Sequence, residues 1–475
     1  MFPVKLSGIQ RQLASALISA MTSFIYGTLV GWSAPTLKKL REPDSPIHLT
    51  PAEEVQMINA IYAGTLLGTF PCGALMNRVG RKGSLLLLSA FPITSWSAIY
   101  FARTASMLLI ARFFAGVWGA AAGTIRPIYV AEIAEPRVRG AAGAFTMVAM
   151  FAGTIFVFVV GPCVSIQTMA IINGVAPPIF FLLFSLCPES PYYYIMRGRH
   201  ADAARTLAWL RGGAPIESEL TSIQTSIERE AKAGQGYFRK MLSLVTVPAN
   251  RKAFFIVEVM NFLQRVCGLS CMAAYSTVVL PQRLGPLTAD HCTLIIGIVW
   301  FLSSLGCSTL VDKLGRKPLL YVSSIGILAS MLPTSAWYYL DKETTMDVTW
   351  INWVPLAGFL LFGVTVNVGL GSIAPTYMGE MFPSNLKAEA SALTIMAVSV
   401  SSSVSIAVFA LLTAHVGLYA NFLVFAAVGA VNWVFTYFCV IETKGKSLQL
   451  IQDELHGGTH GKPSKNNHSD GKLTV

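Results

Sequence analysis

Charged side chains are scarce in this chain. They make up 12% of its 475 residues, whereas hydrophobic residues make up 53%. Soluble domains usually contain about 25% charged residues, so this composition excludes a soluble globular protein and indicates a multi-pass membrane protein. No short apolar leader with a small-residue cleavage site precedes the first long apolar segment, and we therefore expect the N-terminus to be retained.

Disulfide frameworks, catalytic motifs and metal-ligand clusters are also missing from the sequence. The eight cysteines lie mostly in apolar segments, which indicates packing inside helices. No nucleophile with a base, no metal-ligand spacing and no phosphate loop occurs, so we expect no enzyme activity, no metal and no cofactor. The net charge of +11 comes from basic clusters at the ends of apolar segments. Such clusters orient membrane spans and do not indicate a nucleic-acid partner.

Twelve apolar segments are long enough to cross a bilayer as helices, which takes about 20 residues each. The predicted spans are 12–34, 55–76, 84–103, 106–131, 141–162, 166–187, 253–280, 291–311, 318–340, 350–378, 388–413 and 417–440. A basic stretch separates the sixth span from the seventh, and its charge places it, together with both termini, in the cytoplasm.

The expected fold is therefore all-α, with two six-helix bundles. We predict an N-terminal bundle at 1–187, a cytoplasmic linker at 188–252 and a C-terminal bundle at 253–440. Two short amphipathic helices are predicted in the linker. The tail, 441–475, is rich in Gly, Lys, His, Asn and Ser, and this composition predicts disorder.

A set of polar landmarks occurs twice, in the same order, once in each half. Residues 77–82 read NRVGRK and residues 312–317 read DKLGRK; residues 127–132 read PIYVAE and residues 375–380 read PTYMGE. The repetition indicates that one half is a copy of the other. Two pseudo-symmetric bundles of this kind can rock about a site held between them.

With PESP at 188–191 and ETKG at 442–445, these landmarks resemble the sugar porter family of the major facilitator superfamily, and most of all its insect trehalose carriers. The resemblance covers nearly the whole chain. It implies two six-helix bundles around a central cavity, a plasma-membrane location, and facilitated transport of a sugar such as trehalose or a hexose. The implied partners are a small solute and membrane lipid.

The resemblance also assigns the repeated charges to a gate at the cytoplasmic face. The gate residues are Arg81, Glu132, Arg139, Glu189, Asp312, Arg316, Glu380, Lys387 and Glu442. Partly desolvated pairs of opposite charge are expected to hold the outward-open state and to separate when the inner side opens. The alternative is a set of solvated loop charges. Asn77 stands where the family has an acid. We therefore expect the N-terminal half of the gate to be softer, that is, held together less strongly, than the C-terminal half, which keeps Asp312.

The predicted substrate site lies on the seventh span. Hexose-transporting relatives have two adjacent glutamines there, followed by an asparagine; this chain keeps Gln264 but has Arg265 and Ser270 at the other two positions. We expect these three residues to bind the solute together with Asn261. Trp300 either offers a stacking face to the sugar ring or lies in the core or against lipid. The loss of the usual amides argues against a standard glucose site.

Charges inside the predicted spans have alternative interpretations. Arg265 either binds an anionic or strongly acceptor-bearing substrate group by forked hydrogen bonds, or pairs with an acid or a carbonyl and blocks the old site. Arg126 is expected to be structural, reaching Glu132 or the inner surface. Glu258 is expected to pair with Lys252, or else to serve as a proton site.

Coupling and specificity follow from the same comparison. Proton-driven sugar porters carry an acid in the first span, and this chain has Leu29 or a neighbour in its place, which favours facilitated diffusion. Two alternatives stay open: a carrier for a polyol, an acidic sugar or a small organic anion, and a non-transporting nutrient sensor. Pro127 and Pro375, at equivalent positions of the two halves, predict hinges.

Overall fold

The computed structural model describes residues 7–232, 237–382, 386–444, 446 and 448–455, apart from a few side chains within those ranges. These parts of the chain are almost entirely helical. Twelve helical spans are long and apolar enough to cross a membrane, which confirms the predicted number. In chain order they are Gly8–Leu40, Pro51–Val79, Arg81–Tyr100, Ala105–Ile133, Arg137–Cys163, Ile166–Ser185, Pro248–Val279, Ala289–Gly306, Arg316–Glu343, Thr349–Met381, Glu389–His415 and Leu418–Phe438.

Several spans consist of two helices joined at a bend. The helices of the N-terminal bundle are Gly8–Gly31, Ser33–Leu40, Pro51–Val79, Arg81–Leu88, Ala90–Tyr100, Ala105–Ile133, Pro136–Cys163, Ile166–Gly174 and Ala176–Ser185. Those of the C-terminal bundle are Pro248–Gln264, a π-turn at Arg265–Leu269, Ser270–Val279, Ala289–Leu314, Arg316–Glu343, a 3-10 turn at Thr349–Ile351, Val354–Val368, Leu370–Met381, Lys387–His415 and Leu418–Phe438.

Short polar elements connect and follow the bundles. A two-stranded hairpin, Arg283–Leu284 with Leu287–Thr288, follows the seventh span. The linker forms Pro191–Met196, His200–Leu210, Glu217–Lys232 and Tyr237–Thr246, so both predicted amphipathic helices are present and two further helices were missed. The expectation of a disordered tail is wrong for Leu448–Leu455, a helix that buries Ile451 and Leu455. Residues 456–475 lie outside the described part.

Glycines let spans of the N-terminal bundle pack at backbone distance. A Cβ added at Gly27 of the first span would overlap the carbonyl of Met150 in the fifth, and one at Gly64 of the second span would overlap that of Phe113 in the fourth. No hydrophobic effect drives helices together inside a membrane, so close van der Waals packing at small residues stabilises such crossings instead. The close packing makes this bundle a rigid unit.

Two spans of the C-terminal bundle break near mid-membrane. In the seventh, Gly268 has φ +104°, and the helix passes through a π-turn. In the tenth, one helix ends at Val368 and the next begins at Leu370, with Gly369 between them at φ −112° and ψ −100°. The hinges predicted at Pro127 and Pro375 do not coincide with these breaks, because both prolines lie within helices.

The bundles meet over the middle of the molecule and at one end. We call the side that carries the linker the linker face, and the opposite side, which carries the hairpin after the seventh span, the loop face. At the loop face the Lys38 ammonium pairs with the Asp290 carboxylate of the other bundle. Nearer the middle, the rings of Phe151 and Phe301 lie 6.2 Å apart, and Gly297 packs on Phe158.

The seventh-span break generates the first prediction. An alanine at Gly268 would be strained by the positive φ, at a cost of about 1–2 kcal/mol, and its Cβ would meet the Phe425 ring at 2.6 Å. We expect Gly268→Ala to lower the melting temperature of the purified protein in detergent. Gly73→Ala is the control, since a Cβ there meets no atom within 4 Å. Equal melting temperatures for the two variants would contradict this account of the break.

Candidate functional site

At the linker face of the N-terminal bundle, Glu189 caps the helix that begins at Arg81. Its carboxylate accepts hydrogen bonds from the backbone N–H groups of Arg81 at 2.9 Å, Lys82 at 3.0 Å and Gly83 at 3.3 Å. Gly80, at φ +95°, turns the chain into this position, and a Cβ there would overlap the carboxylate. An anion is stabilised at a helix N-terminus by the unpaired N–H groups and the helix dipole.

The arginine of this turn joins the cap to the fourth span. A guanidinium nitrogen of Arg81 donates to Glu132 at 2.8 Å, and both side chains are largely buried. Glu132 also interacts with the Ser190 hydroxyl. One turn earlier on the same helix, the Tyr129 hydroxyl donates to the Pro188 carbonyl at 2.9 Å. The cluster therefore ties the third, fourth and sixth spans together.

The C-terminal bundle repeats this cluster contact by contact. Glu442 accepts the N–H groups of Arg316 at 3.0 Å and Lys317 at 2.9 Å, and Arg316 donates to Glu380 at 2.7 Å. Thr443 donates to the same Glu380 carboxylate at 2.5 Å, as Ser190 does in the first copy. The repeated landmarks thus build the same structure in each half.

A glycine turn and a tyrosine hydrogen bond complete the correspondence between the two clusters. Gly315 has φ +92°, matching Gly80, and the Tyr377 hydroxyl donates to the Ile441 carbonyl at 2.6 Å, matching Tyr129. The alternative of solvated loop charges does not describe these six acids and arginines, because each has a buried or half-buried partner.

Other predicted gate residues do not join these clusters. Arg139 is exposed and donates only to the nearby Ala134 carbonyl at 3.3 Å among the described residues. Lys387 is half-buried and has no ion pair with a described residue. Asn77 is exposed, while the side chain of Asp312 lies outside the described part, so the softer N-terminal half stays a prediction.

In the middle of the molecule, Gln264 holds the broken seventh span against the broken tenth. Its buried amide nitrogen donates to the carbonyls of Leu370 at 3.3 Å and Gly371 at 2.9 Å. Those carbonyls belong to the first residues after the Gly369 break. The amide that the sequence keeps from hexose carriers is therefore committed to a contact between spans.

The next residue, Arg265, faces the other bundle. Tyr26 of the first span and Tyr62 of the second both interact electrostatically with its guanidinium. Tyr62 also interacts with the Ser270 hydroxyl, and Tyr26 with the Thr65 hydroxyl. Two tyrosine hydroxyls of the N-terminal bundle thus lie near a cation of the C-terminal bundle.

The eleventh span supplies further hydroxyls on the same side. Ser270 donates to the Ser402 hydroxyl at 3.2 Å, and Ser405 donates to the Arg265 backbone carbonyl at 3.2 Å. The second bond satisfies a carbonyl that the π-turn leaves without its usual helical partner. We call Tyr26, Tyr62, Arg265, Ser270 and Ser402 the central polar cluster.

Two predicted substrate residues lie apart from this cluster. The Asn261 amide is buried and donates to the Val257 carbonyl of its own helix at 2.8 Å. The Trp300 indole donates to the Phe359 carbonyl at 3.2 Å, and its ring lies where a Cβ of Gly363 would be. Both side chains are committed to packing within the C-terminal bundle.

The other intramembrane charges are satisfied by neighbours different from those expected. Arg126 does not reach Glu132 but donates to the Thr146 hydroxyl and, at 3.4 Å, to the Ala142 carbonyl of the fifth span. Glu258 accepts from Thr394 of the eleventh span, and it makes no ion pair with Lys252. Each side chain thus bonds to a neighbouring span, although Nε of Arg126 and Oε2 of Glu258 are buried without a partner among the described residues.

Sequence reasoning missed Arg112, which lies buried in the fourth span. It donates to the Leu29 carbonyl and, at 3.1 Å, to the Ser33 hydroxyl, and its guanidinium lies 5.3 Å from the centre of the Trp32 ring. It also missed Tyr26 and Tyr62. An arginine deep within a predicted span was the available signal for the first, whereas single tyrosines in spans give none.

Comparisons with known proteins identify the family. The model of the sugar (and other) transporter family matches residues 14–455. The chain belongs to this family. Its members are transporters of the major facilitator superfamily and not enzymes.

This sugar transporter family member has insect relatives of similar length. The facilitated trehalose transporter of Apis mellifera ligustica is 29% identical over 454 residues, covering 94% of this chain and 88% of that protein. The one from Polypedilum vanderplanki is 28% identical over 453 residues, with coverages of 94% and 89%. The chain spans 56% of the longer Anopheles gambiae protein of the same name.

Solved structures show the same fold. The partially occluded inward-open conformation of the xylose transporter XylE from E. coli superimposes with a TM-score of 0.77 at 19% identity, covering 92% of this chain and 99% of that one. The proton:xylose symporter XylE bound to 6-bromo-6-deoxy-D-glucose gives 0.74 at 20% identity, with coverages of 94% and 99%. These likenesses confirm the major facilitator fold of two six-helix bundles.

The second prediction concerns the Glu442 cap, which lies outside the spans. Burial alone raises the pKa of its carboxyl, but the N–H groups of Arg316, Lys317 and Lys444 that donate to it bring the pKa below its ordinary value of 4.5. A carboxyl whose pKa is lowered by folding adds stability above its unfolded pKa and loses that contribution as the pH falls. The contribution of this cap to stability should therefore decrease as the pH falls.

We expect Glu442→Gln to destabilise the protein by about 1 kcal/mol at pH 7, a modest value because the carboxyl is partly exposed. The difference in melting temperature from the wild type should shrink as the pH falls through 4.5. Glu228→Gln, at an exposed acid whose one bond among the described residues is to Gln224, is the control and should show no such change. A difference for Glu442→Gln that is independent of pH would refute this description of the cap.

Proposed function

We propose that the protein is a facilitative transporter of a sugar that works by alternating access in the plasma membrane, with its linker face in the cytoplasm. The observation that carries the proposal is the duplicated charge cluster. Each copy makes its contacts within one bundle. The first copy consists of Arg81, Glu132 and Glu189, and the second of Arg316, Glu380 and Glu442. The polar cluster at mid-membrane lies between the bundles, where a solute could be reached from either side in turn.

The arrangement of contacts supports one conformation of such a cycle. The cross-bundle pair of Lys38 with Asp290 lies at the loop face, while Arg139 and Lys387 at the linker face make no cross-bundle pair among the described residues. We infer a state closed at the loop face. The Arg81–Glu132 and Arg316–Glu380 pairs are intact in this state, so they are not the pairs expected to separate when the linker face opens. In the opposite state, we propose, Arg139 and Lys387 supply the pairs that hold the linker face shut.

The substrate class rests on the family and on the relatives' names. The insect relatives are facilitated trehalose transporters, and hydroxyl side chains of the central polar cluster can both donate to and accept from sugar hydroxyls. A sugar, or a close derivative of one, is the solute that this chemistry fits.

The surroundings of the first span favour transport without protons. The Leu29 carbonyl accepts the hydrogen bond of Arg112, and no Asp or Glu occurs in the helix Gly8–Gly31. A backbone carbonyl does not titrate, so this arginine cannot be released by protonating its partner. Glu258 is already bonded to Thr394 and lies on the other bundle.

Uptake into proteoliposomes tests the proposal. Purified protein should mediate saturable uptake of a labelled member of a panel of neutral sugars, polyols and sugar acids. The rate should not change when a pH gradient is imposed with the membrane potential held at zero. Uptake that follows the pH gradient would contradict facilitated diffusion, and no uptake of any compound would favour the nutrient sensor.

The loop-face pair gives a separate prediction about the cycle. Asp290→Asn removes a half-buried pair worth up to about 1 kcal/mol, so we expect the population to shift about two- to fivefold toward the state closed at the linker face. The readout is the labelling rate of Ala141→Cys, at an exposed position near the linker-face end of the fifth span, which should fall.

Asp341→Asn serves as the matched control, because Asp341 pairs with Lys342 on the same helix and holds no bundles together. Its labelling rate should equal that of the parent protein. Equal rates in Asp290→Asn and in this control would show that the pair does not bias the cycle.

A further inference from the structure

Arg265 is a cation without a counter-charge at the meeting of the two bundles. Among the described residues its guanidinium has no ion pair and no side-chain hydrogen bond, and its Nε is buried without a partner. Its electrostatic neighbours are the hydroxyl groups of Tyr26 and Tyr62. An ionised group at this depth in a membrane is costly unless it is paired or wetted, so the position calls for an anion.

The acids nearest along the chain and in the gate are already engaged. Glu258, two turns before Arg265, accepts from Thr394, and the buried Glu132 is held by Arg81. Arg112 adds a second positive charge, since it too interacts electrostatically with both tyrosines. The two arginines thus lie near the same pair of tyrosine hydroxyls and place two positive charges on this part of the interface.

The amide groups expected of a neutral hexose site are reduced here to one oxygen, Oε1 of Gln264, which is buried without a partner among the described residues. The Gln264 amide nitrogen is used by the Leu370 and Gly371 carbonyls, and the position after it, a glutamine in hexose carriers, is Arg265. A site that replaces amides with a free guanidinium favours a substrate that brings its own negative charge.

We propose that the substrate is a sugar acid, a polyhydroxy compound with one carboxylate. This inference rests on the proposed function and names its substrate class. The carboxylate binds Arg265 through forked hydrogen bonds, and the ring hydroxyls pair with Tyr26, Tyr62 and Ser270. The sugar acid is favoured over a simple organic anion because the hydroxyl groups near Arg265, which bond to Thr65, Ser270 and Ser402 here, can exchange those bonds for bonds to sugar hydroxyls.

The two bundles share this binding site. Tyr26 and Tyr62 belong to the N-terminal bundle, and Arg265 and Ser270 to the C-terminal one. Gly119 of the fourth span leaves the space in which the Tyr26 ring lies, since a Cβ there would overlap the ring. A substrate that spans from guanidinium to tyrosine hydroxyls would touch both halves, as a rocking mechanism requires.

A matched pair of probes tests the proposal. D-glucuronate and D-glucose share one ring and differ in a carboxylate against a hydroxymethyl group, and lactate supplies a carboxylate without the ring. In proteoliposomes we expect glucuronate uptake to exceed uptake of the other two at least tenfold. Because one negative charge moves per cycle, an inside-positive potential set with potassium and valinomycin should accumulate glucuronate.

Variants of the cation separate its charge from its packing. Arg265→Gln should lower glucuronate uptake at least tenfold while glucose uptake holds or rises, and Arg265→Lys should retain part of the glucuronate uptake. Arg103→Gln removes an exposed arginine outside the spans and should leave both rates unchanged. Melting temperatures in detergent check that each variant is folded.

The possible results are distinguishable. Preference of the wild type for glucose, or equal loss of both substrates in a folded Arg265→Gln, would overturn the sugar-acid proposal and leave the transporter proposal standing. Preference for lactate would assign the site to simple organic anions and overturn it as well. If no compound is taken up, we measure whether glucuronate raises the melting temperature of the detergent-solubilised protein. A rise that Arg265→Gln abolishes supports the site, and the absence of a rise in the wild type refutes it.

Discussion

A polar group inside a membrane must find its partner within the protein, and this constraint governs most of the interior described above. Arg112 is bound to a carbonyl and a hydroxyl of the first span, Arg126 to the fifth span, and Glu258 to a threonine of the eleventh. Gln264 binds the carbonyls exposed by the break in the tenth span. Arg265, without such a partner, is the position from which function can be argued.

The charge clusters at the linker face are built twice in one way. In each cluster an acid from a distant part of the same half, Glu189 or Glu442, accepts the backbone N–H groups at the start of a helix. Gly80 and Gly315, with φ +95° and +92°, supply the turn that leads into that helix. Because each cluster closes within its own bundle, the bundles can move as units. The contacts between them are then free to change from one face to the other.

The sequence was sufficient to predict the twelve spans and the duplication, and repetition marked Arg81, Glu132, Arg316 and Glu380 as members of one set of charges. It did not predict which acid each arginine contacts. It could not predict which neighbouring span satisfies Arg126 or Glu258. Helical periodicity gives the face on which a side chain lies and not the helix that covers it. The tail helix was missed because a polar composition masks its two buried apolar residues, Ile451 and Leu455.

The central claim is that two rigid bundles rock about the polar site held between them. Distances between two pairs of spin labels test it most directly. One pair joins the linker-face ends of the fifth and eighth spans, and the other pair joins their loop-face ends. The account predicts two populations in which one distance lengthens as the other shortens, with their ratio shifted by a transported solute. Distances at the two faces that lengthen together, or a single population at both faces under all conditions, would contradict it.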